Sequence, residues 1–200
     1  MYPKEIEKFL LGVQKPGRYT GGELNSIVKD KSKIDIRYAF CFPDTYEIGM
    51  SHLGMKILYS LVNARDDAWC ERVFAPDVDM EKVMRDNGIP LYALESGEAI
   101  KNFDLIGFTM QYELSYTNVL NMLDLAGLPV RSRDRKDLTP IVIAGGACVC
   151  NAEPMAEFFD ITLPGDGEEV TNELIDLLKE YKAKGATKQE FIEAAAQIKG

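Results

Sequence analysis

The sequence holds a single histidine and four cysteines, Cys41, Cys70, Cys148 and Cys150. One imidazole excludes a histidine-built metal cluster, and the cysteine spacing matches neither a disulfide framework nor a zinc site. Basic charge is also scarce: 23 Lys and Arg against 32 Asp and Glu give a net charge of −9 and a pI near 4.8. That argues against nucleic-acid binding, which rests on clustered cations. The one basic cluster, residues 131–136, is interrupted by Asp134 and reads as a solvated loop rather than a nucleic-acid patch. No apolar run approaches the roughly 18–20 residues that cross a bilayer. The N-terminus lacks a basic region followed by an apolar stretch, so no signal peptide is expected and a cytoplasmic location is. Also missing are the G-x-G-x-x-G and Walker A patterns, which sets aside dinucleotide binding and nucleotide hydrolysis.

What is present is alternation. Short apolar runs at 34–42, 69–74, 104–110, 140–145 and 159–163 read as buried strands. Between and after them, periodic stretches at 49–63, 79–86, 113–126 and 168–182 read as helices, with a short helix near 153–157. This predicts a doubly wound α/β domain, flavodoxin-like, with a parallel sheet in the order 2-1-3-4-5 and helices on both faces. Residues 90–94 read as a short extended piece, a candidate edge strand. Residues 3–11 read as a short helix, followed by a proline- and glycine-punctuated stretch at 14–25 that either packs on the domain or floats free. At the other end Thr187 and Glu190 have capping-box spacing, opening a helix with Phe191, Ile192, Ala195 and Ile198 on one side. The expected division is 1–33, 34–183 and 184–200, the last leading toward a further domain.

In such sheets ligands bind beyond the carboxyl ends of the strands. The loops expected there form one rim: Asp44, Thr45, Tyr46, Gly49 and His52 after the first strand; Thr109, Gln111 and Tyr112 after the third; Gly145, Gly146 and Ala147 after the fourth; Gly165, Asp166, Gly167 and Glu168 after the fifth. Aromatic, amide and hydroxyl groups in that set suit a large ligand with apolar and hydrogen-bonding parts. The last loop precedes a helix N-terminus, an anion site by dipole and free N–H groups. Its carboxylates repel phosphate and fit better as acceptors for ligand hydroxyls or amides, or as ordinary first-turn residues. His52 either caps or packs, or approaches a ligand at the rim. Cys148-Val149-Cys150 is a tight loop of small residues or, as the sharper alternative, a metal or redox pair. Asp44 ends the first strand as a phosphoacceptor would, but the acidic pair and lysine of a receiver domain do not accompany it.

Three stretches carry a family likeness. One is Ile143-Ala144-Gly145-Gly146 with Pro154 following, then Phe159-Asp160-Ile161 leading into Gly165-Asp166-Gly167-Glu168. The others are Lys15-Pro16-Gly17-Arg18-Tyr19-Thr20-Gly21-Gly22-Glu23-Leu24-Asn25, and Phe103 to Phe108 with Gln111-Tyr112-Glu113-Leu114-Ser115-Tyr116-Thr117-Asn118. Over roughly residues 5–180 the chain resembles the cobalamin-binding-type domain that precedes the catalytic core in B12-binding-domain radical S-adenosylmethionine (SAM) proteins, and one subfamily of these in particular. The resemblance implies a corrinoid-holding accessory domain, with the rim residues as the cofactor-binding set and the nucleotide tail lying along the backbone at Gly145 and Gly146. It implies a radical SAM catalytic domain of the same full-length protein as partner, bearing SAM and a 4Fe–4S cluster. The cluster motif C-x-x-x-C-x-x-C does not occur in these 200 residues, so no catalytic residue is expected here. Histidine-ligating relatives have D-x-H-x-x-G. Here Met50 takes the aspartate position and Gly54 comes one residue early, so no protein ligand to the metal is implied. The alternative is a degenerate B12-like domain without cofactor, serving interdomain or protein-partner contact.

Overall fold

The computed structural model describes residues 2–198. Met1 and the last two residues of the expected 184–200 extension lie outside the described residues. Five strands form one all-parallel sheet: β1 (Ile36–Phe42), β2 (Ala68–Phe74), β3 (Leu105–Thr109), β4 (Ile141–Gly145) and β5 (Ile161–Leu163). Their order is β2-β1-β3-β4-β5, as the alternation predicts, with helices on both sides. β1 sits at the centre and is buried almost throughout, which its continuous apolar and aromatic run requires. The helices are α1 (Tyr46–Ser51), α2 (Leu53–Asn63), α3 (Val78–Asn87), α4 (Tyr116–Leu125), α5 (Gly167–Lys184) and α6 (Lys188–Ala195). Asp77 caps α3 and the Thr187–Glu190 capping box opens α6. No helix among the described residues is long and apolar enough to cross a membrane.

Four local expectations are corrected. The single helix at 49–63 is two, α1 and α2, parted at His52, whose backbone is extended (φ −74°, ψ 118°). Gly49 and Gly54 weaken helix propagation on either side of it. Residues 90–94 are not a sheet strand. Pro90 brings no N–H, and Leu91, Ala93 and Leu94 donate to Leu125, Glu98 and Arg72 carbonyls, leaving only one antiparallel bridge, Tyr92 to Ala99. The N-terminal helix is a 3₁₀ helix, Lys4–Gly12, whose threefold repeat puts Ile6 and Phe9 on one edge. Arg135, within the basic stretch read as solvated, is buried: it binds Asp160 at 2.9 Å and the carbonyls of Pro129, Val130 and Phe158.

The stretch after the N-terminal helix packs on the domain. Arg18 pairs with Asp77 at 2.7 Å, and Tyr92 Oη donates to the Tyr19 carbonyl. Trp69 donates to the Ile27 carbonyl, while Lys29 Nζ binds the Ala68 carbonyl. These bonds cover the outer flank of β2, a sheet edge that would otherwise expose unpaired groups.

At the opposite end of the strands, Asp67 joins β2 to α5. It accepts from Arg65 Nε and Nη2 at 3.0 and 3.1 Å and from Lys179 Nζ at 2.8 Å. Arg65, then Lys179, hold its carboxyl down at about 2, against about 3.9 for a free aspartate. The folded state thus binds this proton more weakly than the unfolded one. Its stabilisation is complete above the unfolded value and is lost as pH falls through the folded one. Asp67→Asn is expected to flatten the acid limb of the stability curve between about pH 4 and 2. Urea unfolding at stepped pH measures this, and an unchanged slope in that window would refute the pairing.

Candidate functional site

The strand alternation sends Tyr38 and Phe40 of β1, Gly107 and Thr109 of β3, Ile143 and Gly145 of β4 and Leu163 of β5 to one face of the sheet. α2 and α5 lie on that face, packed on each other and on β1. Gly167 allows their close approach, since a Cβ there would meet Leu58 at 3.2 Å. Between them and the carboxyl ends of the strands opens a cleft of about 300 Å³. This is where doubly wound folds bind ligands.

The cleft gathers nine of the sequence-predicted positions: His52, Thr109, Gln111, Gly145, Gly146, Gly165, Asp166, Gly167 and Glu168. It does not gather the rest. Asp44 accepts a hydrogen bond from Tyr112 Oη, tying the loops after β1 and β3 together outside the cleft. Thr45 and Tyr46 border a small hollow beside Arg18 and Tyr19, with Tyr46 edge-on to Phe74. Gly49 is buried where a Cβ would strike the Phe74 ring. Ala147 is exposed at the start of a 3₁₀ turn, Ala147–Asn151. Among the described residues no group of three His, Cys, Asp or Glu side chains converges on a metal position.

Sequence reasoning missed the floor. Tyr38 and Phe40 stack at 5.6 Å between centroids, and the Tyr38 phenol crosses β3 in the space left by Gly107, where a Cβ would strike its hydroxyl. The signal was available in two facts: aromatic residues two apart on one strand face, and a glycine inside a neighbouring strand. Tyr38 is 3% exposed, yet its hydroxyl makes no hydrogen bond among the described residues. Burial pushes the phenol well above its ordinary value, so it stays a neutral O–H.

His52 is fixed by its neighbours. Its Nδ1 accepts from the Met55 N–H at 3.1 Å, and its ring packs 5.2 Å from that of Phe42. Gly54 makes room for it, because a Cβ there would lie 3.0 Å from Cε1. A backbone donor at Nδ1 puts the proton of the neutral ring on Nε2. Nε2 is therefore a donor, without a partner among the described residues. Opposite, Asp166, Glu168 and the first turn of α5 edge the mouth, and among the described residues no Lys or Arg lines the cleft.

A family model described as the N-terminal region of radical SAM proteins matches residues 54–200, most of this fold and the whole α5 side of the cleft. The chain belongs to this radical SAM N-terminal family. An uncharacterized protein of Methanocaldococcus jannaschii is 28% identical to it over 150 residues, covering 74% of this chain and 28% of the relative. The radical SAM N-terminal domain thus spans about a quarter of the length of the curated relative it matches. In this family member the cleft gives space for a ligand at the carboxyl edge of the sheet.

Proposed function

We propose that this accessory domain holds the nucleotide-like tail of a corrinoid in the cleft between α2 and α5, presenting the ring to a radical SAM catalytic domain of the same full-length protein. The carrying observation is the cleft itself: a stacked aromatic floor ringed by Thr109, Gln111 and Thr171, at the carboxyl edge of a 2-1-3-4-5 sheet. Its volume lies at the lower end of small-molecule sites, so it takes part of a corrinoid rather than the whole. The floor suits a flat heteroaromatic group, and Gly145 leaves the wall open where a Cβ would touch only the Leu163 carbonyl, at 3.9 Å. A bound corrinoid supplies cobalt-centred chemistry; this chain supplies its placement. SAM and a 4Fe–4S cluster belong to the catalytic domain in this reading, residues 34–183 form the ligand unit, and the setting is cytoplasmic. His52 gives cobalt no lone pair, because Nδ1 is occupied and Nε2 carries the proton.

A second reading keeps the fold and drops the ligand. Asp166 and Glu168 at the mouth, with no cation to meet a tail phosphate, favour it, as do Leu53 and Ile57, exposed on α2. The same surface then serves contact with the catalytic domain or another protein. Incubation with hydroxocobalamin followed by gel filtration separates the two. Co-elution with an altered visible spectrum at micromolar concentration is expected, and the cobalt(II) form is expected to lack imidazole nitrogen splitting in its EPR spectrum. An eluate free of corrinoid selects the second reading, and imidazole splitting overturns the assignment of His52.

A further inference from the structure

Two side-chain donors on the cleft lining, Tyr38 Oη–H and His52 Nε2–H, have no hydrogen-bond partner among the described residues. Tyr38 Oη lies at the base over the gap left by Gly107; the residue is 3% exposed, and its hydroxyl oxygen is the part left open to the cleft, with no hydrogen bond among the described residues. His52 Nε2–H lies on the α2 wall, its tautomer set by the Met55 N–H. The otherwise buried Tyr38 side chain thus presents only its O–H to the cleft, where a ligand acceptor can take it. The phenol is not left over by loose packing, because the missing side chain of Gly107 makes the room for it and Phe40 stacks beside it.

We propose that Tyr38 and His52 form the recognition pair of the cleft, donating Oη–H and Nε2–H to a flat, uncharged ligand group that carries ring-nitrogen or carbonyl acceptors. The absence of Lys and Arg from the lining, and the carboxylates of Asp166 and Glu168 at the mouth, select against an anionic group. The stacked pair of Tyr38 and Phe40 selects for a flat one. Beside them Thr109 Oγ1 accepts from Gln111 Nε2 at 2.6 Å. The inference rests on the cleft being a ligand site, but not on the ligand being a corrinoid.

Benzimidazole and indole test it on the full 200-residue chain by NMR titration. They share size and shape, and only benzimidazole has a ring-nitrogen acceptor. The parent is expected to prefer benzimidazole about tenfold, the effect of one neutral hydrogen bond. Tyr38→Phe is expected to reduce that preference to within about twofold while melting no lower than the parent, since the hydroxyl it removes is unpaired. Retained preference in Tyr38→Phe, or a Tm several degrees lower, overturns the proposal. So does a parent chain that binds neither probe or both equally. Benzimidazole preference without hydroxocobalamin retention overturns the corrinoid reading and leaves this pair standing. Equal hydroxocobalamin retention by parent and Tyr38→Phe, with the benzimidazole preference also equal in the two, does the reverse.

Discussion

Asp160→Ala is expected to lower the Tm by about 6–20 °C, from a loss of about 3–5 kcal/mol at about 2–4 °C per kcal/mol for a chain of this size. The Asp160 side chain is fully buried at the entry to β5 and meets four donors. Its Oδ1 accepts from Arg135 at 2.9 Å, Lys188 Nζ at 2.7 Å and the Ser132 hydroxyl, and its Oδ2 accepts from the Val142 N–H at 2.7 Å. One carboxylate therefore ties β4, β5, the 131–136 loop and α6 together. Removing it strands two buried cations. Arg135 keeps three carbonyls and Lys188 keeps the Arg135 carbonyl at 2.9 Å, but neither keeps a counter-charge. Breaking one member of a buried ion cluster costs far more than the cluster contributes over an apolar substitute. A cycle of Asp160→Asn, Lys188→Met and the double variant is expected to show coupling above about 1 kcal/mol. Urea unfolding of the set decides it. Additive losses would mean that the pair acts independently, and a loss below about 1 kcal/mol for Asp160→Ala would remove the cluster from the account.

This cluster also shows where sequence reading stopped. The sheet was legible because each strand is a local apolar run and each crossover a local helical period. The pattern needed no partner to be seen, and the order followed from topology rules. Arg135 was not legible, because its charged neighbours Arg131, Arg133 and Lys136 are exposed. Nothing in that stretch marks the one residue that turns inward to an aspartate met only later in the chain. The rim residues were placed by loop position alone, which brings together most of those after β3, β4 and β5, leaves Tyr112 and Ala147 outside, and divides the loop after β1. His52 turns to the cleft there, while Tyr46 and Gly49 turn toward Phe74. That division follows from the break between α1 and α2, and two glycines on one apolar face gave no clear sign of it. Tyr38 was overlooked for the opposite reason. An aromatic in a central strand reads as core, and its unpaired hydroxyl is a tertiary fact.

Gly146→Val is expected to fail as a ligand probe and to succeed as a fold probe, lowering the Tm by about 6–12 °C for a loss of about 3 kcal/mol. The resemblance places Gly145 and Gly146 together along a ligand's tail, but their backbones differ. Gly146 has φ 95°, a conformation closed to valine at a cost of about 1–3 kcal/mol. A Cβ there would also stand 2.9 Å from the Met110 carbonyl oxygen, 3.1 Å from its nitrogen and 2.8 Å from Gln111 Nε2. Those Met110 atoms are already engaged, with Gly145 O accepting from Met110 N–H at 2.7 Å and Met110 O accepting from Cys148 N–H at 2.9 Å. The turn cannot back away without breaking the junction of β3 and β4. Gly145 is in ordinary strand geometry, faces the cleft, and has only the Leu163 carbonyl at 3.9 Å. Gly145→Val therefore fills ligand space with a residue that strands favour, and is expected to melt within a few degrees of the parent while losing hydroxocobalamin. Measured side by side, the two variants separate fold from ligand. If Gly146→Val melts with the parent, the turn is not held as described. If Gly145→Val melts with the parent and still retains hydroxocobalamin, the cleft is not where the tail lies.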